Sequence, residues 1–167
     1  MAIQPISLKG RALRLLGARE YARAELARKL APHAEHAGQI DSLLDELEVK
    51  GFISEQRSAE SVVHRRAPRL GAARIRQELR AKGLSPDLVQ RTVAGLQPSE
   101  VARAHQVWSR KFSPQAERGD AAARARQMRF LLARGFSADV VRRVVSGSAD
   151  DGSLDLELAG AVALRLE

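Results

Sequence analysis

Apolar residues recur along this chain three and four positions apart, the spacing of one helix face. Leu8, Ala12, Leu15 and Leu16 define a first helix that Gly17 should end, and Ala22, Leu26 and Leu30 a second that stops near Pro32. Ile40, Leu43, Leu44 and Leu47 give a third, closed by Gly51. Ser54 is placed to cap a fourth, with Ala59, Val62 and Val63 inward; Ala72, Ile75 and Leu79 mark a fifth ending at Gly83. Ser85, Pro86 and Asp87 read as N-cap, first helical residue and first-turn acid of a sixth, whose core face is Leu88, Val89 and Val93. A seventh from about Pro98 has Val101, Ala104, Trp108 and Phe112 in register. An eighth, from near Asp120, carries Ala125, Met128, Leu131 and Leu132; Gly135 ends it, and Ser137 caps a ninth with Val140, Val141, Val144 and Val145. No run of β-branched residues is bounded by hairpin signals. The pattern predicts an all-α protein.

The chain also repeats itself. RFLLARGFSADVVRRVV, Arg129 to Val145, echoes QELRAKGLSPDLVQRTV, Gln77 to Val93, at a shift of 52 residues. Leu79, Gly83, Ser85, Asp87 and Val93 fall on Leu131, Gly135, Ser137, Asp139 and Val145. A weaker echo, AELARKL at Ala24 to Leu30, sits in the first third. Nine helices in three groups predict three tandem three-helix repeats, at 1–53, 54–96 and 97–146. Each is too small to bury its own core, so the expectation is an elongated, curved stack resembling a right-handed solenoid. From 147 to 167 the chain turns to Ser, Gly and Asp and then to an acidic stretch, read as a flexible tail.

Charge adds what periodicity cannot. The 167 residues carry a net charge of +8, unevenly placed. Residues 1–56 hold eight basic and eight acidic side chains, 57–143 nineteen against seven, and 144–167 one against five. A basic middle implies a polyanionic or acidic partner. Arg65, Arg66, Arg69, Arg74, Arg76 and Arg80 are assigned to the fourth and fifth helices, with Arg69, Arg76 and Arg80 spaced as a stripe beside the core face. Arg110, Lys111, Arg124, Arg126, Arg129, Arg134, Arg142 and Arg143 continue the theme. Amphipathic helices need charged outer faces, but ordinary surfaces mix the signs. The expected binding surface is therefore Arg65, Arg66, Arg69, Arg76, Arg80, Arg126, Arg129, Arg134, Arg142 and Arg143.

Candidate chemistry is sparse. There is no cysteine, hence no disulfide, thiolate metal site or cysteine nucleophile. His33 and His36 lie near Glu35 without a third convincing ligand, and Asp41 and Asp45 read as a solvated face. No phosphate-binding loop, nucleophile elbow or zinc-protease motif occurs. We expect no catalytic residue, cofactor or metal. Aromatics are 4% of the chain, too few for a platform of stacked rings, and Trp108 is expected in the core. No apolar run has the length of a membrane span and no signal-peptide pattern opens the chain, so a cytoplasmic monomer is expected.

Four segments together resemble the RecX family of recombinase regulators: RALRLLGAREYARAELARKL, LLDELEVKGFISEQRSAESVV, RIRQELRAKGLSPDLV and RQMRFLLARGFSADVVRRVV. The resemblance spans about residues 8–146. Its most specific phrases are Gly51-Phe52-Ile53 before an acidic helix start and Arg134-Gly135-Phe136 before Ser137. Three positions depart from the family's habit. Ala22 stands where a capping Ser is common, Ser58 replaces an aromatic, and Pro68 interrupts a helix end. The resemblance implies tandem three-helix repeats in a non-enzymatic protein of DNA repair and the SOS response. Such a protein binds the RecA filament on single-stranded DNA and restrains its ATPase, strand-exchange and co-protease activities. Contact with single-stranded DNA, and secondarily with double-stranded DNA, would accompany this. The other reading is a stand-alone basic DNA-binding protein without a recombinase partner.

Overall fold

The computed structural model describes residues 6–112 and 121–147. Among them the chain forms nine α-helices and no strand. These are α1 (Leu8–Ala18), α2 (Arg23–Leu30), α3 (Gln39–Val49), α4 (Glu55–Arg66), α5 (Ala72–Ala81), α6 (Pro86–Ala94), α7 (Glu100–Ser109), α8 (Ala121–Ala133) and α9 (Ala138–Gly147). Short 3-10 turns follow α2 at Ala31–His33 and precede α7 at Gln97–Ser99. The fold is all-α, as the periodicity requires. The expected acidic tail falls outside the described residues, apart from Gly147.

Local rules place most boundaries. The Ser7 hydroxyl accepts the Gly10 N–H at 3.1 Å at the start of α1, and Ser54 accepts Arg57 N–H at 3.2 Å at the start of α4. Ser137 does the same for Val140 at 3.4 Å. Ser85 does not: its hydroxyl donates instead to the Glu55 carboxylate at 2.9 Å, so the start of α6 relies on Pro86 and Asp87. Ala22 likewise leaves α2 without a side-chain cap. Helix α1 runs through Gly17 to Ala18 rather than stopping at the glycine, and α7 starts two residues beyond Pro98 because a 3-10 turn intervenes.

The turns that end α5 and α8 are built alike. Gly83 and Gly135 take φ of +81° and +83°, which side-chain-bearing residues rarely adopt. After α5, Gly83 N–H donates to Arg80 O at 2.9 Å and Leu84 N–H to Leu79 O at 3.3 Å. After α8, Gly135 N–H donates to Leu132 O at 2.9 Å and Phe136 N–H to Leu131 O at 3.3 Å. This is the Schellman arrangement, which satisfies the last carbonyls of a helix while reversing the chain. Leu79 and Leu131 are fully buried, and Leu84 and Phe136 are nearly so.

Residues 6–67 and 74–97 form one compact unit; 68–73, with the described residues from 98 onward, form a second. In the first, Ala12, Tyr21, Leu26, Leu30, Leu43, Leu44, Leu47 and Ile53 make a core among α1, α2 and α3. Helices α4 and α6 pack together, with Ala59, Val62, Leu88, Val89 and Val93 buried. A half-exposed charge cluster ties α2 to the residue after α5. Glu25 accepts from Arg19 and from Lys82 Nζ, the latter at 2.7 Å, with both partners of the lysine pair largely buried. Burial pushes the Glu25 carboxyl up, but the hydrogen bonds from Arg19 and Lys82 outweigh it and hold the group below its ordinary 4.5.

In the second unit, Ala104, Val107, Trp108, Phe112, Leu131, Phe136 and the four valines of α9 form the core. Phe112 lies past the end of α7 yet remains in this core, 7% exposed. Trp108 is 2% exposed and donates its indole N–H to Gln127 Oε1 at 3.0 Å, which settles it as a core residue. Residues 70–73 are pinned by backbone bonds. Gly71 N–H donates to Arg134 O at 2.9 Å, Ala72 N–H to the buried Glu100 carboxylate at 3.2 Å, and Ala73 N–H to Gly135 O at 3.1 Å. Arg103 adds a bond to Leu70 O at 2.9 Å. A Cβ on Gly71 would lie 2.3 Å from the Gly135 backbone, so no larger residue fits.

Three outcomes follow. Gly71→Ala should cost about 1–3 kcal/mol, the usual penalty of overpacking, because only backbone could give way. Trp108 is the only tryptophan, so its fluorescence in a urea titration reads this loss in the second unit. Ser58 is 1% exposed and its hydroxyl has no hydrogen-bond partner. Ser58→Ala should therefore raise stability by about 1 kcal/mol, read as a higher urea midpoint. Glu25→Gln should destabilise by about 1–3 kcal/mol near neutrality. Because the folded carboxyl titrates below its unfolded value, that contribution is complete above the ordinary 4.5 and fades as pH falls through the lower folded value. Urea midpoints of wild type and variant should thus converge in acid.

Candidate functional site

The ten arginines expected to form a binding surface divide between the two units. Arg65, Arg66, Arg76 and Arg80 belong to the first; Arg69, Arg126, Arg129, Arg134, Arg142 and Arg143 belong to the second. The structure sorts them by what each already touches.

Some are engaged internally. Arg66 pairs with Glu78 at 2.8 Å, and Arg65 folds back on its own helix to donate to Ser61 O at 3.1 Å. Arg142 pairs with Asp139 one turn earlier on α9. Others are exposed and have no ion-pair partner among the described residues: Arg69, Arg76, Arg80, Arg129 and Arg143. Arg69 requires a correction. It lies in the connection after α4, not on a helix, so the proposed stripe through Arg69, Arg76 and Arg80 is not a helical stripe. Pro68 fixes φ and removes a backbone donor, ending the helical run before Arg69. Arg76 and Arg80, four residues apart, do share one side of α5 beside the buried Ile75 and Leu79.

On α8, Arg126 and Arg129 are three apart on the exposed face opposite Ala123, Gln127 and Leu131. Arg134 behaves differently. It follows the end of α8 and is drawn back over the Phe130 ring, its guanidinium carbon 3.6 Å from the ring centroid. Lys111 Nζ lies over the same ring at 4.5 Å. On α9, Arg142 and Arg143 oppose the valine face.

The first unit balances its charge through pairs. Arg23 holds Asp45 at 2.7 Å and Glu48 at 2.6 Å, which accounts for the acidic face of α3. Glu46 accepts from Lys50 and Lys9, and those hydrogen bonds hold its carboxyl down to about 2. Few acids fall among the described residues of the second unit. Its described residues hold ten basic side chains against two acidic ones, Glu100 and Asp139. Glu100 is buried on the Ala72 N–H and Asp139 is taken by Arg142.

One feature of the first unit escapes a reading by charge counts. Arg11, Arg14, Lys29 and His33 line a cleft of about 400 Å³ floored by Leu15 and Leu30. Residues 1–56 balance in number, but no acid lines this cleft. The spacing of Arg11 and Arg14 one turn apart was the available signal. His33 and His36 are exposed, and no group of three His, Asp or Glu side chains among the described residues could hold a metal ion.

Comparison with known proteins gives the geometry its context. Residues 54–93 match the family model for the second three-helix domain of RecX, and 99–145 that for the third. A regulatory protein RecX of Leptothrix cholodnii is 55% identical over 141 residues, covering 84% of this chain and 88% of its own. The chain belongs to the RecX family. A regulatory protein RecX of Ralstonia nicotianae is 53% identical over 89% of this chain and 94% of its own. The crystal structure of RecX from Lactobacillus salivarius superposes with a TM-score of 0.69 at 20% identity, over 86% of this chain and 94% of that one, and shares the fold. These relatives are named regulatory proteins, and no helix among the described residues is long and apolar enough to cross a membrane.

Proposed function

We propose that this protein is a negative modulator of the RecA recombinase, acting in the cytoplasm as a non-enzymatic monomer. It binds the RecA filament on single-stranded DNA and restrains ATP hydrolysis, strand exchange and co-protease action. The observation that carries the binding half of this reading is the set of exposed arginines, Arg69, Arg76, Arg80, Arg129 and Arg143, that lack an ion-pair partner among the described residues. Membership of a family of regulatory proteins supplies the other half. A RecA filament is a repeating polyanionic track, and tandem helical repeats offer several weak contacts to it. Linked weak contacts gain affinity through effective concentration without any one strong site. Phosphate contacts by Arg release counterions, which makes the DNA component steeply dependent on salt.

The test is the DNA-dependent ATPase rate of RecA filaments, with DNA in excess, as the protein is titrated in. Inhibition at well below one molecule per recombinase subunit is expected. Inhibition only once the protein saturates the DNA would replace this reading with that of a stand-alone DNA-binding protein. The triple variant Arg76→Glu/Arg80→Glu/Arg129→Glu should raise the half-inhibiting concentration at least about tenfold, the effect of losing roughly 1.4 kcal/mol of binding. Its urea midpoint should change little, since exposed substitutions of this kind fall within about 0.5 kcal/mol. Unchanged inhibition by the variant would remove these arginines from the interface.

A further inference from the structure

Most of the exposed arginines carry charge on a flexible stem, but Arg134 is held as a plane. Its guanidinium carbon sits 3.6 Å above the Phe130 centroid, at stacking distance, and Nη1 reaches Phe130 O at 3.4 Å. Its backbone is fixed on both sides, with N–H donating to Leu131 O at 3.0 Å and C=O accepting from Gly71 at 2.9 Å. The ring beneath is fixed as well. Phe130 meets Phe112 edge-on at 5.1 Å and 88°, and Phe112 is buried in the core of the second unit. No carboxylate among the described residues pairs with Arg134.

We propose that the Phe130–Arg134 stack is a binding plate for an unpaired nucleobase, making Arg134 a stacking group rather than a point charge for a phosphate. This rests on the nucleic-acid contact proposed above and specifies its form. A guanidinium that lies with one face on a ring turns its other face away from that ring. Nucleobases stack on guanidinium planes as they do on aromatic rings. Inside a duplex both faces of a base are already covered, so such a plate selects single strands without reading sequence. The chain has few aromatics and its one Trp is buried, so an arginine laid on a half-buried Phe supplies the flat surface that rings do not. Lys111, 4.5 Å over the same ring, puts positive charge beside the plate for the phosphates flanking a stacked base. Ordering the guanidinium in advance lowers the entropy that binding would otherwise lose.

Arg134→Lys separates plane from charge, because lysine keeps the cation and cannot stack as a plane. The full-length protein and this variant are each titrated against two labelled oligonucleotides of equal length. One is oligo(dT); the other carries abasic sites at its central positions, so phosphates are conserved and bases removed. The wild type should bind oligo(dT) about tenfold more tightly than the abasic strand, the lower end of what stacking one or two bases contributes. Arg134→Lys should bring that ratio close to one, with affinity for the abasic strand and the salt slope unchanged. A variant that keeps the wild-type ratio, or a wild type that has none while binding both strands, overturns the stacking plate and leaves DNA contact standing. A wild type that binds neither strand overturns both. Trp108 fluorescence confirms that the variant is folded.

Discussion

Short helices set the central constraint on this chain. A helix of ten or thirteen residues leaves its last four carbonyls without intrahelical partners, a large share of its backbone. The chain must satisfy them while turning tightly enough for the next short helix to share a core. Gly83 and Gly135 do both, since a left-handed residue lets two N–H groups reach back to the final turn. Leu79 and Leu131, the residues whose carbonyls are captured, are also the fully buried side chains of their helices. Hydrogen bonding and core packing are thus set at the same residue. Gly51 ends α3 in the same way, and the echo in the sequence is the record of that solution at α5 and α8. In the second unit it goes further: the Gly135 carbonyl serves Ala73, and the bare Cα of Gly71 lets the two backbones meet. Glu100 closes the arrangement by taking the N–H between them, which explains a buried carboxylate in an otherwise apolar environment.

Much of this was legible from spacing alone. The nine helices of the described residues follow from apolar residues at three and four positions, but the face of α8 does not: Leu132, expected inward, is 46% exposed, and Gln127 is buried to accept from Trp108. What escaped depends on partners distant in sequence. Ser85 reads as a cap until Glu55, thirty positions earlier, offers its hydroxyl a carboxylate. Nothing in the spacing marks Glu100, and only the return of residues 70–73 reveals it as a buried acceptor. Arg69 fits a helical stripe in spacing but lies outside any helix, because Pro68 ends the run. The same holds for the surface. Clustering of positive charge is visible in composition, but which arginines are spent on internal pairs is a tertiary fact. Arg66 and Arg142 are spent; Arg76, Arg80 and Arg129 are not paired with any described acid.

The pairing separates the cations of the first unit that have an acid from those that have none among the described residues. Where the first unit places a cation against its own surface it supplies an acid. Arg23 faces Asp45 and Glu48, Lys82 faces Glu25, and Lys9 and Lys50 share Glu46. Each exposed pair contributes little to stability, yet their regular occurrence shows that acids are available where packing calls for them. Among the described residues of the second unit, Arg142 and Asp139 make such a pair. Like charges that face one another unpaired lower the stability of the compact state. Sites where a sequence departs from what folding favours are those where something outside the chain completes the interaction. The arginines without a described acid, Arg69, Arg129 and Arg143, are the ones the proposed function assigns to a partner. Under that proposal a polyanionic track suits them better than a single acidic ligand, because the cations are spread over α8, α9 and their connections rather than converging on one point.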